Sequence, residues 1–216
     1  ESGKALLHDV DDDGVVEVFF EAMPRDSMAE ASTLYCLDAD GEVRWQRRSA
    51  DRFDGTAHDL GHSFMLRKWE LMQRDDGDQV LALAGHTPRY PMEVALLDAA
   101  TGEPLGEPYH HPGHFYRWLW QDVDGDGETE LILGGINNPG PGIGRAAIVI
   151  LDVPFEAGGS APSDFFGEPG PLPLAYVLLP RMEVNEALRL GSRVQTLSAV
   201  SGGEPGEFLA TASVGG

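Results

Sequence analysis

An acidic motif between two apolar runs occurs twice in the sequence and constrains the fold more than any other feature. The stretches KALLHDVDDDGVVEVFFEA (4–22) and RWLWQDVDGDGETELILGG (117–135) share the pattern D-x-D-x-D-G-x-x-E between the two runs. Apolar and polar residues alternate in these runs, which is typical of β-strands with one buried face. Two further stretches, 66–85 and 193–213, keep the strand–loop–strand outline but lose most of the acids. The chain is therefore predicted to repeat one β unit four times.

Each repeat extends beyond these two strands. The stretches STLYCLDADGEVRWQ (32–46) and MEVALLDAATGEPLGEPY (92–109) each show a strand, a turn with Asp and Gly, and a second strand, and RAAIVILDV (145–153) begins a similar element. Glycine in such turns supplies the positive φ that a tight reversal requires. The 27 glycines and 15 prolines favour many short turns, and 181–190 is expected to form one or two helical turns. Each repeat is predicted to contain four short strands.

A unit of four antiparallel strands in roughly 40–50 residues has the size of a β-propeller blade. We therefore predict an all-β fold in which 1–216 forms one propeller-type repeat domain of about three and a half blades. Rings have about four to eight blades, so we expect the chain to belong to a larger ring or to close with a second copy; a flat β-sandwich is the alternative. The predicted blades are 4–60, 61–112, 113–190 and the incomplete 191–216, with a loop insertion at 153–174.

The two acidic loops have the chemistry of cation sites. Side chains at alternate positions of a tightly turning loop direct their oxygens to one point, glycine at the sixth position permits the turn, and the seventh residue offers its backbone carbonyl. Carboxylates crowded without a cation repel one another, so we expect metal binding to order each loop. The predicted metal ligands are Asp9, Asp11, Asp13, the Val15 carbonyl and Glu17 in the first loop, and Asp122, Asp124, Asp126, the Glu128 carbonyl and Glu130 in the second.

Calcium is the predicted metal, with one Ca2+ in each loop. Ca2+ takes six to eight oxygen ligands, whereas Mg2+ prefers a tighter octahedron that retains waters and Zn2+ favours nitrogen or sulfur ligands. An EF-hand is excluded because its twelfth position must be an acid, and these loops have Phe20 and Leu133 there. In the third repeat Arg74 stands among the acids, and we expect it to act as an internal cation in a loop that binds no metal.

Net charge restricts the partners. The formal charge of −21 repels nucleic acid and anionic membrane surfaces, so neither is expected as a partner. No apolar run approaches the roughly 20 residues of a membrane span. The single cysteine, Cys36, excludes an intrachain disulfide and is predicted to be a small buried residue of apolar character.

Histidines are the other candidate metal ligands. The stretches HDLGH and YHHPGH place them at related positions of two repeats. Two interpretations are open: a transition-metal site or general base, or turn histidines that hydrogen-bond to the backbone and recur with the repeat, which the repetition favours. No nucleophile elbow, phosphate-binding loop or dinucleotide-binding glycine motif occurs, so no catalytic or cofactor-binding residue is predicted. The histidines concerned are His58, His62, His110, His111 and His114.

With the loops DVDDDGVVEV and DVDGDGETEL, the chain resembles the FG-GAP/VCBS repeat family, whose β-propellers include the head of integrin α subunits and many bacterial surface and secreted proteins. The resemblance covers most of the chain; the Phe-Gly and Gly-Ala-Pro signatures are poorly kept, with GHFYRW and LGGINNPG the nearest stretches. It implies a bacterial member or fragment, a seven- or eight-bladed ring in full-length relatives, Ca2+ in the inter-strand loops, and an extracytoplasmic location (secreted, periplasmic or cell surface). Because the chain begins within a repeat, we expect a mature form or an excised fragment.

Two functions of different classes are compatible with these features. The first is a non-enzymatic, calcium-stabilised module that presents loops for protein or glycan binding, which the absence of a convergent catalytic motif favours. The second is a polysaccharide lyase or a quinone-dependent dehydrogenase on a similar calcium-binding propeller; the stretch ALLDAATGEPL is similar to quinoprotein blades. Expected partners are a protein or glycan ligand and further blades of the same polypeptide or of a second copy, with no membrane span.

Overall fold

The chain forms β-sheets joined mostly by short turns. Its described part contains fifteen β-strands and one short α-helix, which confirms the predicted all-β fold class. The chain divides into two compact units: unit 1 comprises Glu1–Pro88 and Glu93–Leu105, and unit 2 comprises Arg89–Met92 and Gly106–Gly216. The computed structural model describes residues 5–23, 32–48, 65–74, 77–87, 91–138, 144–153, 159–160, 173–201 and 206–214.

Unit 1 contains two groups of paired strands. In the first sheet, four antiparallel strands are adjacent in chain order. In the second, β6 lies between β5 and β7 and is antiparallel to β5. The strands are β1 (Ala5–His8), β2 (Glu17–Ala22), β3 (Thr33–Leu37), β4 (Val43–Arg48), β5 (Met65–Gln73), β6 (Gln79–His86) and β7 (Met92–Asp98).

The turn between β3 and β4 has the chemistry that its sequence predicts. The N–H of Asp38 donates to the carbonyl of Glu42, and the N–H of Gly41 donates to the carbonyl of Asp38, both at 2.9 Å. Gly41 has a φ of +89°, a left-handed conformation that disfavours residues with a Cβ by roughly 1–2 kcal/mol. The D-G pair therefore directs β4 back along β3.

The aromatic residues of unit 1 form the centre of its core. Phe19 is fully buried, and its ring centroid lies 5.7 Å from that of Trp45 and 6.4 Å from that of Trp69. Burying a side chain of this size stabilises the fold by about 1.5–3 kcal/mol, and aromatic pairs add to this. The indole N–H of Trp45 donates to the carbonyl of Ala99 at 3.0 Å. The first sheet and the β5–β7 strands consequently share one core.

Cys36 belongs to the same core. Its side chain is fully buried on β3, as predicted. Burial raises the pKa of the thiol to about 12, and the nearby carboxylate of Glu17 contributes to the increase. The cysteine is therefore a packing residue that stays protonated at neutral pH.

Unit 2 contains a four-stranded antiparallel sheet, in the order β9-β10-β11-β13, and the antiparallel pair β14–β15. Within the predicted loop insertion 153–174, most of which lies outside the described residues, β12 pairs in parallel with β8. The blade boundaries and the propeller assignment stay predictions. The elements are β8 (Tyr109–His111), β9 (His114–Gln121), β10 (Glu130–Asn137), β11 (Arg145–Leu151), β12 (Gly159–Ser160), β13 (Ala175–Leu178), α1 (Glu183–Leu188), β14 (Ser192–Ala199) and β15 (Phe208–Val214).

Strand β10 is the most buried element of unit 2, and β14 packs over it. Val194 of β14 joins a core cluster with Ile132 on β10 and Ile148 on β11. Two glycines allow the close approach of the backbone on both sides of β10. A Cβ at Gly134 would lie 2.8 Å from Cγ1 of Val194, and a Cβ at Gly135 would lie 2.0 Å from the backbone oxygen of His114.

The short helix α1 forms inside the range 181–190 where a helical turn was expected. Asn185 is buried and connects both ends of the helix. Its side-chain oxygen accepts the N–H of Met182 at 3.0 Å, and its side-chain nitrogen donates to the carbonyl of Leu190 at 3.2 Å. One amide side chain thus connects the N-cap residue to the residue that follows the C-cap.

We predict that Gly135→Ala lowers the free energy of unfolding by about 1–3 kcal/mol or more, because the added methyl group meets backbone that cannot rotate away. Gly191→Ala is the matched control, since its Cβ would meet no atom closer than 3.5 Å; a compatible Gly→Ala change alters stability by about 1 kcal/mol or less. Urea unfolding followed by circular dichroism measures both values. Equal stability of the two variants would contradict the close approach at Gly135.

Candidate metal centre

Loop 1 (residues 9–16) joins β1 to β2 and is closed by its own aspartates. The carboxylate of Asp9 accepts the N–H of Asp13 at 3.2 Å and the N–H of Gly14 at 2.9 Å. The carboxylate of Asp13 accepts the N–H of Val15 at 2.7 Å. Gly14 has a φ of +85°, so the sixth position has the left-handed conformation that its glycine favours.

Loop 2 (residues 122–129) joins β9 to β10 and closes in the same way. The carboxylate of Asp122 accepts the N–H of Gly125 at 2.7 Å and the N–H of Gly127 at 3.1 Å. The carboxylate of Asp126 accepts the N–H of Glu128 at 2.8 Å. In both loops the first aspartate therefore binds the N–H of the sixth-position glycine, and the fifth residue binds that of the seventh.

The ninth-position glutamates are nearly buried, and each binds the backbone of its own loop. Glu17 and Glu130 are both 2% exposed. Glu17 accepts the N–H of Val10 at 3.0 Å, and Glu130 accepts the N–H of Val123 at 2.6 Å. A carboxylate so far removed from water needs a compensating charge or further donors.

The structure brings three of the predicted acids together in each loop. In loop 1 they are Asp9, Asp11 and Asp13; in loop 2 they are Asp122, Asp124 and Glu130. In each group one ligand oxygen per residue lies within 4.8 Å of the others, so each group could hold a metal ion. Of the remaining predicted side-chain ligands, Glu17 and Asp126 are outside these groups. The predicted carbonyl ligands belong to Val15 and Glu128, whose N–H groups bind the preceding aspartates.

A positively charged side chain that the sequence analysis missed contacts loop 1. The guanidinium of Arg44, on β4, donates to the carboxylate of Asp11. Its Nη1 lies 3.1 Å from Oε1 of Glu17, and its Nε lies 3.8 Å from Oδ1 of Asp38. The hydrogen bond with Arg44 lowers the pKa of Asp11, and the same bond raises the pKa of Arg44.

Strand pairing explains why Arg44 reaches loop 1. Val18, the residue after Glu17, pairs with Leu37 at the end of β3. Leu37 in turn pairs with Val43, the first residue of β4. The beginning of β4 therefore lies at the same end of the sheet as the beginning of β2. The pattern that could have identified Arg44 is the short D-G turn, which returns the chain to this end directly after Asp38.

The register of the two sheets also allows the position of Arg44 to be compared with unit 2. Cys36 and Ile150 occupy the same position relative to the ninth-position glutamates of their loops. Cys36 pairs with Trp45, the residue after Arg44. Ile150 pairs with Ala175, the residue after Leu174. Leu174 therefore precedes the corresponding pair in unit 2, and it is 48% exposed. Arg44 itself lies unpaired at a β-bulge of its sheet.

Loop 2 has no corresponding positive charge among the residues whose placement is described. Burial raises the pKa of Glu130, and the negative charges of Asp124, Asp126 and Asp122 raise it further; the hydrogen bond from Val123 opposes this increase. The charged form of Glu130 is thus destabilised both by burial and by the negative charges of the neighbouring aspartates. The positive charge of a cation bound in loop 2 would favour the charged form and so oppose this destabilisation.

Each loop is also attached to the next sheet of its own unit through the carbonyl of its first aspartate. In unit 1 the side-chain amide of Gln79, at the start of β6, donates to the carbonyl of Asp9 at 3.0 Å. In unit 2 the N–H of Gly206, just before β15, donates to the carbonyl of Asp122 at 3.2 Å. The conformation of each acidic loop is therefore linked to the packing of two sheets.

The described histidines do not join the acidic groups. His58 and His62 lie outside the described residues. His111 is fully buried; its Nδ1 accepts the N–H of Gly113 at 2.9 Å, which leaves Nε2–H to donate to the hydroxyl oxygen of Tyr176 at 3.0 Å. Both nitrogens of His111 are thus committed to hydrogen bonds within the protein, as in the second of the two interpretations above.

No protein-family model, no curated protein and no solved structure matches this chain. Within the described residues there is also no helix with the length and apolarity needed to cross a membrane.

We predict that unfolding becomes more acid-sensitive because of His111. Burial lowers the pKa of His111 from 6.5 to about 3. Above pH 6.5 the ring is neutral in both states, and His111 does not lower the free energy of unfolding. Between pH 6.5 and about 3 the unfolded state binds a proton that the folded state does not, so the free energy of unfolding falls as the pH falls. The free energy of unfolding should fall by up to about 1.4 kcal/mol per pH unit from this group within that window.

The measurement is urea unfolding between pH 7 and about 4, compared with His111→Gln and with the neighbouring control His110→Gln. The His111→Gln protein should have a flatter dependence on pH than the wild type, and the His110→Gln protein should follow the wild type. Parallel curves for all three proteins would be incompatible with a buried neutral imidazole at His111.

Proposed function

We propose that this chain is a calcium-stabilised β-propeller module of the FG-GAP/VCBS type, without enzymatic activity, which presents its loops to a protein or glycan ligand. One observation carries the proposal. Two loops 113 residues apart, counted from Asp9 to Asp122, share the hydrogen bonds to their sixth and seventh residues, and each gathers three carboxylate oxygens. Such duplicated geometry is typical of a ligand site repeated with the fold.

The donor set supports calcium over other metals. Both groups consist of carboxylates alone, whereas zinc and the later transition metals favour imidazole or thiolate. Backbone carbonyls at Val15 and Glu128 and bound water would supplement the aspartates to reach six to eight oxygens. In this proposal the ion has a structural role: it neutralises the acids and stabilises the connection between strands.

The packing within each unit is compatible with propeller blades. Blades bury a face only by stacking on their neighbours, and in unit 1 and in unit 2 consecutive sheets share a core. The proposed partners include further blades of the same polypeptide or of a second copy.

The net charge of the chain supports the proposed ligand class, and the usual calcium affinity of extracellular modules supports the proposed location. With a net charge of −21, the surface favours neutral or basic ligands over acidic ones. Extracellular calcium modules bind their ion with dissociation constants near 10⁻⁴–10⁻³ M. Exposed loops with an affinity in this range would be occupied by calcium outside the cytoplasm. We therefore propose an extracytoplasmic protein.

Calcium should stabilise the chelator-treated full chain. At a Ca2+ concentration of 100 times the dissociation constant, one site contributes about 2.7 kcal/mol, and Mg2+ should contribute less. Differential scanning calorimetry measures the change in melting temperature, and isothermal titration calorimetry measures the binding. An unchanged melting temperature together with no binding heat in millimolar Ca2+ would contradict the proposal.

Two variants of loop 2 separate specific binding from general charge effects. Asp124→Asn and Glu128→Gln each remove one negative charge from the loop. The side chain of Asp124 belongs to the gathered group, whereas Glu128 is predicted to contribute only its carbonyl. Asp124→Asn should abolish the binding event of loop 2, and Glu128→Gln should retain it within a few-fold.

The absence of enzymatic activity is tested separately. Incubation with acidic polysaccharides should yield no unsaturated product, and the absorption spectrum of the protein purified from a quinone-containing medium should show no bound quinone. Turnover or a quinone spectrum would favour the lyase or the dehydrogenase, respectively.

A further inference from the structure

Arg44 and a metal ion would both use the carboxylate of Asp11. The guanidinium donates to the carboxylate of Asp11, and Asp11 is one of the three residues whose oxygens converge there. A cation bound to this group would face a positive charge at hydrogen-bond distance from one of its own ligands. The two cations therefore compete for Asp11.

Arg44 also neutralises the part of loop 1 that is least accessible to solvent. Glu17 is 2% exposed, while the side chain of Arg44 is 26% exposed, so the arginine connects the buried carboxylate to the surface. An ion pair of this kind is strengthened by the low local dielectric. Loop 1 consequently has a compensating charge before any metal arrives.

Loop 2 has no such arginine among the described residues. Its ninth-position acid, Glu130, is as deeply buried as Glu17, but the residue before the corresponding strand pair is Leu174, which has no charge. The oxygens of Glu130, Asp122 and Asp124 gather within 4.8 Å of one another. In both loops the first aspartate binds the N–H of the sixth-position glycine, and the fifth-position aspartate binds that of the seventh residue. We therefore attribute the expected difference in metal affinity mainly to Arg44.

We propose that Arg44 is the resident counter-cation of loop 1 and that a divalent cation must displace it to bind there, so that loop 2 binds metal before loop 1. This inference rests on the proposed function, because it ranks the two calcium sites. Loop 2 is then the site that responds at low calcium, and loop 1 keeps unit 1 ordered without the ion.

Calcium titration of the full chain tests the ranking. In the Asp124→Asn background, which isolates loop 1, Arg44→Met should increase the affinity of loop 1 for Ca2+ by about tenfold, the effect of removing one charge-assisted hydrogen bond. Arg47→Met is the matched control, since Arg47 lies on the same strand and is exposed; it should leave the affinity unchanged.

A second variant tests the inference in the opposite direction and does not depend on the folding of the Arg44→Met protein. Leu174→Arg introduces the missing charge beside loop 2 and should weaken Ca2+ binding there by about tenfold. In chelator, Arg44→Met should lower the melting temperature more than Arg47→Met does, and Leu174→Arg should raise it.

The possible failures are distinguishable. Loop 1 affinity that is unchanged or reduced in Arg44→Met would overturn the role of Arg44, as would a Leu174→Arg protein with undiminished binding at loop 2; in either case the calcium sites would remain. Absence of Ca2+ binding at both loops of the wild type and of every variant would instead overturn the proposed function itself.

Discussion

Repulsion between carboxylates is the constraint on which the arrangement of both acidic loops depends. Two unit charges 4 Å apart interact by about 1 kcal/mol in water and about 4 kcal/mol at the effective dielectric near a protein surface, and each loop brings three carboxylate oxygens within 4.8 Å of one another. Backbone N–H groups of the loop bind the carboxylates and lower this cost, but they carry no net charge. Arg44 brings one positive charge to the carboxylates of loop 1. Among its described neighbours, loop 2 has no such positive charge.

The same loops take part in the packing of the sheets. The carbonyl of the first aspartate accepts a hydrogen bond from the sheet that follows: from Gln79 in unit 1 and from Gly206 in unit 2. Beneath these contacts lie the two apolar cores, one around Phe19 and one around Ile132. A change in loop charge would therefore affect more than the loop, because its backbone is bound on one side to its own strands and on the other side to the neighbouring sheet.

Most of what was predicted correctly about the fold rests on local rules. Alternation of apolar residues predicted β2, the D-G pair predicted the turn at Gly41, and the apolar context of Cys36 predicted its burial. The strand β10 was predicted with one buried face, but its first six residues are all buried, so both of its faces are covered. The candidate site was predicted less completely: Glu17 is paired with Arg44 instead of joining the gathered aspartates, and Asp126 binds the backbone N–H of Glu128. These outcomes depend on which groups compete for each carboxylate, and the spacing of acids along the chain carries no information about that competition.

The sequence by itself determined the β-strands, the tight loops and the positions of the acids, because each follows from steric preferences and hydrogen bonds between residues a few positions apart. Only the tertiary structure decided which charges meet. Arg44 is 33 residues from Asp11 along the chain, and the two are neighbours because β3 and β4 pair in one particular register beside β2. In unit 2 the residue before the corresponding pair is the uncharged Leu174. Charges interact through distance in space, and that distance is set by strand pairing.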